Sequence, residues 1–223
     1  MQQLALEMAL PPSYAPDDIA ITPANTALIA MLDADPQLHG AGILLIGPSG
    51  SGKTHLARRW ASRHGAIFLP PEQIGLVPAE TLLQGRTRVV IDPVERIGQW
   101  AGLVALMNEL RANGGQLLAT AEDALSVRPI PLADAQSRLQ GLVQQRIPAP
   151  DDALLEAHLR KRFSDWQWQV EPAVLEYLLP RLPRDYRVLG QWLDQLRQQM
   201  ATQPKRLTIP LLRPQLEGDL ESL

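Results

Sequence analysis

One stretch of the chain combines glycines, a lysine and a hydroxyl side chain at a spacing suited to binding an anion. Residues 47–54 read Gly-Pro-Ser-Gly-Ser-Gly-Lys-Thr and fit the pattern G-x-x-x-x-G-K-[ST] in full. Glycines let the backbone curl until successive N–H groups point inward, and a helix beginning there adds the positive end of its dipole. Lys53 would supply positive charge to the β- and γ-phosphates, and Thr54 a hydroxyl to Mg²⁺. The stretch therefore predicts a phosphate loop for ATP or ADP.

An acidic residue that would complete this site ends a run of apolar residues. Residues 89–91 are Val-Val-Ile and Asp92 follows, which is the Walker B pattern, so Asp92 is expected to hold Mg²⁺ through water. Many ATPases of this architecture carry a second acid at the next position, which here is Pro93. Glu95 lies two residues further on, and the sequence does not fix its direction. We therefore predict nucleotide binding, with weak or absent ATP hydrolysis by the chain alone. The candidate contacts to the phosphates and Mg²⁺ are Gly47, Pro48, Ser49, Gly50, Ser51, Gly52, Lys53, Thr54, His55 and Asp92.

The elements around the loop alternate between strands and helices. Helices are predicted at 53–64 and 97–111, and a further helix, capped by Thr22, is predicted to open at Pro23. Apolar runs predict five strands, at 42–46, 66–69, 88–91, 116–119 and 142–147. This alternation is typical of an α/β fold with a parallel five-stranded sheet covered by helices on both faces.

Pro148 and Pro150 mark a change in organisation. Beyond them the pattern predicts helices at 151–163, 171–179 and 185–200, and either a strand or a short helix within 207–216. We therefore expect three parts: an extended tail at 1–13, an α/β nucleotide-binding domain at 14–148 and a small all-helical lid at 149–223.

Composition excludes several classes of function. The 223 residues contain no cysteine, which excludes disulfide scaffolds and thiolate metal sites, and the four histidines lack metal-ligand spacing. The net charge of −3, with Lys and Arg scattered, argues against autonomous DNA binding, so DNA is expected to be contacted only indirectly. Neither a signal peptide nor a membrane-spanning apolar run is visible, so a cytoplasmic protein without membrane contact is expected.

Beyond these motifs, the chain resembles the AAA+ family, and within it the DnaA-related regulators of replication initiation called Hda or HdaA. The resemblance covers nearly the whole chain. Residues 16–25 resemble the segment that packs against adenine in DnaA relatives, which makes Ile19 and Ile21 candidate base contacts, although simple core packing explains them equally well. Residues 117–120 resemble the sensor 1 strand, and Thr120 is then expected near the γ-phosphate.

Three further segments carry the resemblance. Residues 135–139, Ala-Gln-Ser-Arg-Leu, resemble the arginine-finger segment, so Arg138 is expected to reach the nucleotide of a neighbouring subunit. Residues 184–189 resemble the sensor 2 region, with Arg187 as the implied sensor and Arg184 as its alternative. Residues 205–210 resemble the end of the lid in Hda proteins.

The tail resembles the short peptide that docks on the bacterial sliding clamp, the β subunit of DNA polymerase III. Gln3 would bond at the rim of an apolar pocket that Leu4, Leu6 and Met8 enter, because an extended chain puts those three on one side. Met8 departs from the more usual Leu or Phe at its position.

Together these resemblances imply a nucleoid-associated regulator that docks on the clamp and promotes hydrolysis of DnaA-bound ATP, limiting re-initiation. Three alternatives stay open: a DNA-associated loader or remodelling ATPase that hydrolyses ATP itself, a small-molecule P-loop kinase, and a regulator of another partner that uses nucleotide as structural glue. The sequence also leaves open whether ATP or ADP is the working ligand, and whether the chain forms a homodimer or a higher oligomer.

Overall fold

The computed structural model describes residues 19–200 and 206–218, so the predicted tail lies outside the described residues. The chain divides into two units, of which the first holds the described residues up to Ala149 and the second begins at Pro150. Among the described residues, no helix is long and apolar enough to cross a membrane.

The first unit is built on five parallel strands in the order β2-β3-β4-β1-β5. The strands are β1 Gly42–Ile46, β2 Ile67–Leu69, β3 Arg88–Ile91, β4 Gln116–Ala121 and β5 Val143–Arg146. Every residue of the central strands β1 and β4 is buried, whereas β5 lies at an edge and is mostly exposed. The predicted parallel five-stranded α/β fold is confirmed.

Helices cover both faces of this sheet. They are α1 Thr26–Asp33, α2 Lys53–His64, α3 Ala79–Leu83, α4 Trp100–Ala112 and α5 Ala133–Gln140. Successive side chains of a strand point to opposite faces. Accordingly Ile43 and Leu45 pack in the cluster that holds the apolar residues of α1 and α2, while Leu44 and Ile46 pack in the cluster that holds those of α3, α4 and α5.

The first helix begins later than its sequence predicts, at Thr26 rather than Pro23. The side chain of Asn25 explains the difference. Its Oδ1 accepts from the main-chain N–H of Thr22 at 2.8 Å and its Nδ2 donates to the carbonyl of Ala20 at 2.8 Å. These two bonds close a turn over residues 20–25, so the chain cannot enter the helix until the turn is complete.

The second unit contains α6 Asp152–Asp165, α7 Pro172–Leu178, α8 Tyr186–Gln199 and α9 Ile209–Gly218 around its own apolar core. Two caps fix the helix starts: Asp151 Oδ1 accepts from Leu154 N at 2.8 Å and Asp185 Oδ1 from Arg187 N at 2.7 Å. The prediction of helices is confirmed, but "all-helical" was too strict. A two-stranded parallel sheet pairs β6 Gln169–Val170 with β7 Arg206–Leu207, and strands of two residues are too short to give a periodic sequence pattern.

Candidate nucleotide-binding site

The phosphate loop follows the carboxyl end of β1. Strands β2, β3 and β4 lie on one side of β1, and β5 lies on the other, so the strand order reverses at β1. This is the position at which open α/β sheets bind ligands. Gly50 and Gly52 adopt φ angles of 81° and 90°, a conformation that disfavours other residues. A Cβ on Gly47 would lie 2.6 Å from Ser51 Oγ, so the loop closes tightly on itself. The glycines of residues 47–54 therefore serve the curl that an anion cradle requires.

Lys53, the first residue of α2, folds back over the loop. Its Nζ donates to the carbonyl oxygen of Gly47 at 2.7 Å and to that of Pro48 at 3.0 Å. Burial lowers the pKa of Lys53, and nearby carboxylates oppose that shift. These carboxylates, here called the acidic rim, belong to Asp92, Glu95, Glu122 and Asp123. The ammonium thus lies at the carboxyl edge of the sheet between the loop and the acidic rim.

The residues at this edge fit a nucleoside phosphate with Mg²⁺. Ser51 is only 7% exposed, and its Oγ has no hydrogen-bond partner among the described residues, a donor that a phosphate oxygen would satisfy. Thr54 and Asp92 would supply the hydroxyl and carboxylate oxygens that Mg²⁺ prefers. No three His, Cys, Asp or Glu side chains in the described parts of the chain form a metal site. Mg²⁺ needs no such cage, because it usually keeps phosphate and water ligands. His55 lies half-buried in the first turn of α2.

Asp92 and Thr120 meet across the two neighbouring strands β3 and β4. The register pairs Ile91 with Ala119, which brings the next residue of each strand to the same level. Thr120 is fully buried, and its Oγ1 donates a hydrogen bond to Asp92 Oδ1. The sequence predicted that β4 ends at residue 119, but the strand continues to Ala121, so Thr120 is held within the sheet. The bond orients the Asp92 carboxylate beside the phosphate loop.

Glu95 also turns toward this edge, which sequence reasoning left undecided. It lies in the 3-10 turn Val94–Arg96, and its Oε1 accepts from the main-chain N–H of Glu122 at 2.6 Å, directly after β4. Its Oε2 is buried and has no hydrogen-bond partner among the described residues. The one sequence signal was an acid three positions after Asp92, and the direction of its side chain depends on how the turn packs.

The two isoleucines proposed as base contacts differ in their surroundings. Ile19 is half-buried against the core cluster of α1 and α2, whereas the side chain of Ile21 is 56% exposed. The turn closed by Asn25 holds the segment between them. Ile21 therefore keeps apolar surface available for a base, while Ile19 already uses part of its surface in packing.

Arg138 lies near the amino ends of the strands, whereas the phosphate loop lies at their carboxyl ends. It lines a pocket of about 460 Å³ together with Ala41, just before β1, and Gly115, just before β4. The loop follows the other end of β1, whose five residues span roughly 17 Å at ~3.3 Å per residue. Arg138 Nε donates to Asp134 Oδ1 at 2.8 Å, and 27% of its side chain is exposed. Arg138 is thus remote from the phosphate loop of its own chain.

The two arginines proposed as the lid sensor also differ. Arg184 is used within the second unit: its guanidinium donates to the carbonyls of Leu182 and Leu179 and to Asp152 Oδ1 at 2.6 Å. Arg187 is exposed in the first turn of α8. The choice of Arg187 over Arg184 as the sensor stays a prediction.

Comparison with known proteins gives the second unit a family. Residues 152–216 match the family described as the Hda lid domain.

Comparison of structures gives the fold of the whole chain. Domain III of the replication initiation protein DnaA from Thermotoga maritima matches with a TM-score of 0.69 at 17% identity, covering 95% of this chain and 99% of that one. AMPPCP-bound DnaA from Aquifex aeolicus matches with a TM-score of 0.60 at 17% identity, covering 86% of this chain and 67% of that one. The RuvB Holliday junction branch migration motor of Thermotoga maritima matches with a TM-score of 0.58 at 18% identity, covering 94% of this chain and 72% of that one. The chain therefore has the AAA+ fold predicted from its sequence.

Proposed function

We propose that the chain is an Hda-like, DnaA-related regulator that promotes hydrolysis of DnaA-bound ATP. Support comes from the match of residues 152–216 to the Hda lid domain and from the fold that the chain shares with DnaA domain III. The observation that carries this proposal is the position of Arg138 at the sheet edge opposite its own phosphate loop. A guanidinium placed there can serve a nucleotide only if a second molecule presents one.

The chemistry of Arg138 suits this role. A planar guanidinium stabilises charge on a transferring phosphoryl group, and arginine fingers raise turnover by ~10³–10⁵-fold in GTPases. The ion pair with Asp134 uses Nε, and neither Nη of Arg138 makes a hydrogen bond within residues 19–200 and 206–218. Asp134 would therefore aim the side chain while its outer nitrogens stay available to a phosphate.

The chain's own nucleotide would lie between the loop and the acidic rim. ATP or ADP would contact residues 47–55 and Thr120, with Ile21 and Ile19 beside the base and Mg²⁺ held by Thr54 and Asp92. Support comes from the orphaned Ser51 Oγ and from the nucleotide analogue bound by the structural neighbour DnaA.

The tail would tether the regulator to the sliding clamp through Gln3, Leu4, Leu6 and Met8, which lie outside the described residues. Tethering raises the local concentration of Arg138 near DnaA on the same DNA without adding any contact between the two proteins. The outcome would be ADP-bound DnaA and no premature second round of initiation.

The test is hydrolysis of DnaA-bound ATP in the presence of clamp loaded on DNA. Arg138→Ala is expected to lower the stimulated rate at least 10-fold, with little rescue in Arg138→Lys, because a lysine lacks the planar fork. Arg128→Ala, which removes a positive charge from the exposed loop after β4, is the matched control and is expected to act like wild type.

The tail is tested by changing Gln3, Leu4 and Leu6 together to Ala. This variant should no longer bind the clamp, and it should stimulate hydrolysis less than wild type in assays that depend on the clamp. Unchanged stimulation by Arg138→Ala would refute the finger, and retained clamp binding by the tail variant would refute the tether.

A further inference from the structure

Pro93 stands where a second acid is usual, yet Glu95 brings a carboxylate back to the same edge of the sheet. We propose that Glu95 orients the attacking water, so that this chain hydrolyses its own bound ATP. The inference rests on the proposed nucleotide site, and it is independent of DnaA and of the clamp.

Two buried apolar residues fix the turn that carries Glu95. Val94 is 2% exposed and packs in the core cluster, and Ile97, at the end of the turn, is 4% exposed in the same cluster. With Val94 and Ile97 both buried, Glu95 turns toward the end of β4, where Oε1 accepts from Glu122 N at 2.6 Å. That N–H follows Thr120 by two residues, so the Glu95 carboxylate shares the sheet edge of the Asp92–Thr120 pair and the phosphate loop.

One oxygen of Glu95 is fixed and the other is available. Oε2 is buried and has no hydrogen-bond partner among the described residues, which is costly for a carboxylate oxygen unless a ligand or an ordered water completes it. A fixed acid with one unmet acceptor at the phosphate edge is the arrangement that a water-orienting residue requires.

Glu122 is the rival within the acidic rim, because it directly follows β4 at the same end of the sheet. Only its main-chain N–H is fixed, by Glu95. Within the described residues, the Glu122 carboxylate makes no hydrogen bond that would orient it. Preorganisation therefore favours Glu95, since an acid held in place needs no reordering at the moment of reaction.

The proposed step is hydrolysis. The oxygen of the attacking water bonds to the γ-phosphorus, and its proton passes to the Glu95 carboxylate. The bond from the γ-phosphorus to the bridging oxygen breaks, and its electron pair leaves with ADP. Glu95 then releases the proton to solvent, so the products are ADP, inorganic phosphate and one proton.

The experiment compares the full-length wild type with Glu95→Gln, Glu95→Ala and Glu122→Gln, measuring ATP turnover, equilibrium affinity for ATP and ADP, and the midpoint of urea unfolding. A glutamine keeps an oxygen that accepts from Glu122 N but cannot take a proton. We therefore expect Glu95→Gln to bind ATP within about 3-fold of wild type, to unfold at the same urea concentration and to lose ~10²-fold in turnover or more. Glu95→Ala should lose turnover and also unfold at lower urea, because Glu122 N loses its acceptor.

Four results would overturn the proposal. Wild type that binds ATP without turning it over would leave the proposed nucleotide site standing and remove the role of Glu95. Wild type that binds no ATP would refute the nucleotide site and with it this inference. Parallel losses of affinity and turnover in Glu95→Gln would make Glu95 a positioning residue only. A larger loss of turnover in Glu122→Gln than in Glu95→Gln would assign the water to Glu122.

Discussion

A single carboxylate at the end of α1 balances two guanidinium groups of α2. Arg59 is 8% exposed, and its Nε and Nη2 donate to the two oxygens of Asp33 at 3.0 and 2.7 Å. Arg63 Nε lies 3.3 Å from Asp33 Oδ1. The hydrogen bond from Arg59 holds the pKa of Asp33 below its usual value, and the charges of both arginines act in the same direction. Asp33 thereby ties the end of α1 to α2, the helix that starts at the phosphate loop.

Replacing Asp33 by asparagine should destabilise the first unit by about 2 kcal/mol in urea unfolding. Removing one partner of a fully buried pair costs ~3–5 kcal/mol, and the loss is smaller here because the Asp33 side chain is 21% exposed. Asp35→Asn is the control, since that exposed carboxylate only accepts from Gln37 N. Equal losses in the two variants would contradict the expectation.

The same carboxylate has a defined pH dependence. Its folded-state pKa is lowered, so the unfolded chain binds more protons as the pH falls below the ordinary value of 3.8. The stabilisation by Asp33 is therefore complete above that pH and is lost as the pH falls through the folded-state pKa.

Among the elements, β1 and β4 approach each other so closely that one position accepts no side chain. Gly42 begins β1 with φ +136°, and a Cβ there would lie 1.8 Å from the carbonyl oxygen of Leu117 in β4. Gly40, two residues earlier, also has a positive φ of +58° but has nothing within 4 Å. Substitutions at Gly40 and Gly42 therefore separate the cost of an unfavourable backbone conformation from the cost of pushing two strands apart.

Gly40→Ala should therefore cost roughly 1–3 kcal/mol, because φ +58° with ψ −120° is a conformation that L-residues rarely adopt. Gly42→Ala should cost at least ~3 kcal/mol or prevent folding of the first unit, because main-chain atoms of Leu117 cannot move without breaking the β1–β4 pairing. Urea unfolding followed by circular dichroism measures both. Similar midpoints for the two variants would show that the strands separate at little cost.

Most of these elements were predictable because burial leaves a pattern in the sequence. The strand β1 is a continuous apolar run and the helix α2 directly follows a glycine-rich loop, so the phosphate loop and its flanks were predictable together. The end of β4 was not predictable, since the apolar run stops before Thr120. Thr120 and Ala121 are buried because neighbouring strands flank them, which the sequence pattern does not show. The pair β6 and β7 was missed because its partners are far apart in sequence.

Within the candidate site, the residue types were predictable and their directions were not. The sequence around Arg138 does not show whether its side chain lies at the amino or the carboxyl ends of the strands. That position depends on how α5 packs before the chain continues into β5. Glu95 was noted as an acid near Asp92, but its bond to Glu122 joins residues 27 positions apart. Such long-range contacts are set by packing, and one sequence does not record them.

At the scale of the whole molecule, the two units have separate cores and different titrating groups. In the lid, the ring of His158 on α6 packs edge-on against Tyr186 of α8, with 6.1 Å between ring centroids. Burial lowers the pKa of His158 to about 4, and the charge of Arg162 adds to the shift. Burial also raises the pKa of Tyr186 to about 12, with the charge of Asp151 adding to it. Both groups are therefore neutral at physiological pH.

The lid should consequently lose stability in mild acid. Between pH 6.5 and about 4 the unfolded lid binds a proton at His158 that the folded lid does not, so stability falls as the pH falls. Within that window the slope approaches about 1.4 kcal/mol per pH unit for one proton. Hydrogen exchange read separately for the two units should show lid protection falling from pH 6.5 to 4.5. His158→Gln, which cannot titrate, should flatten that dependence even if it lowers protection at pH 7, and an unchanged slope in this variant would mean that other groups of the lid set its acid sensitivity.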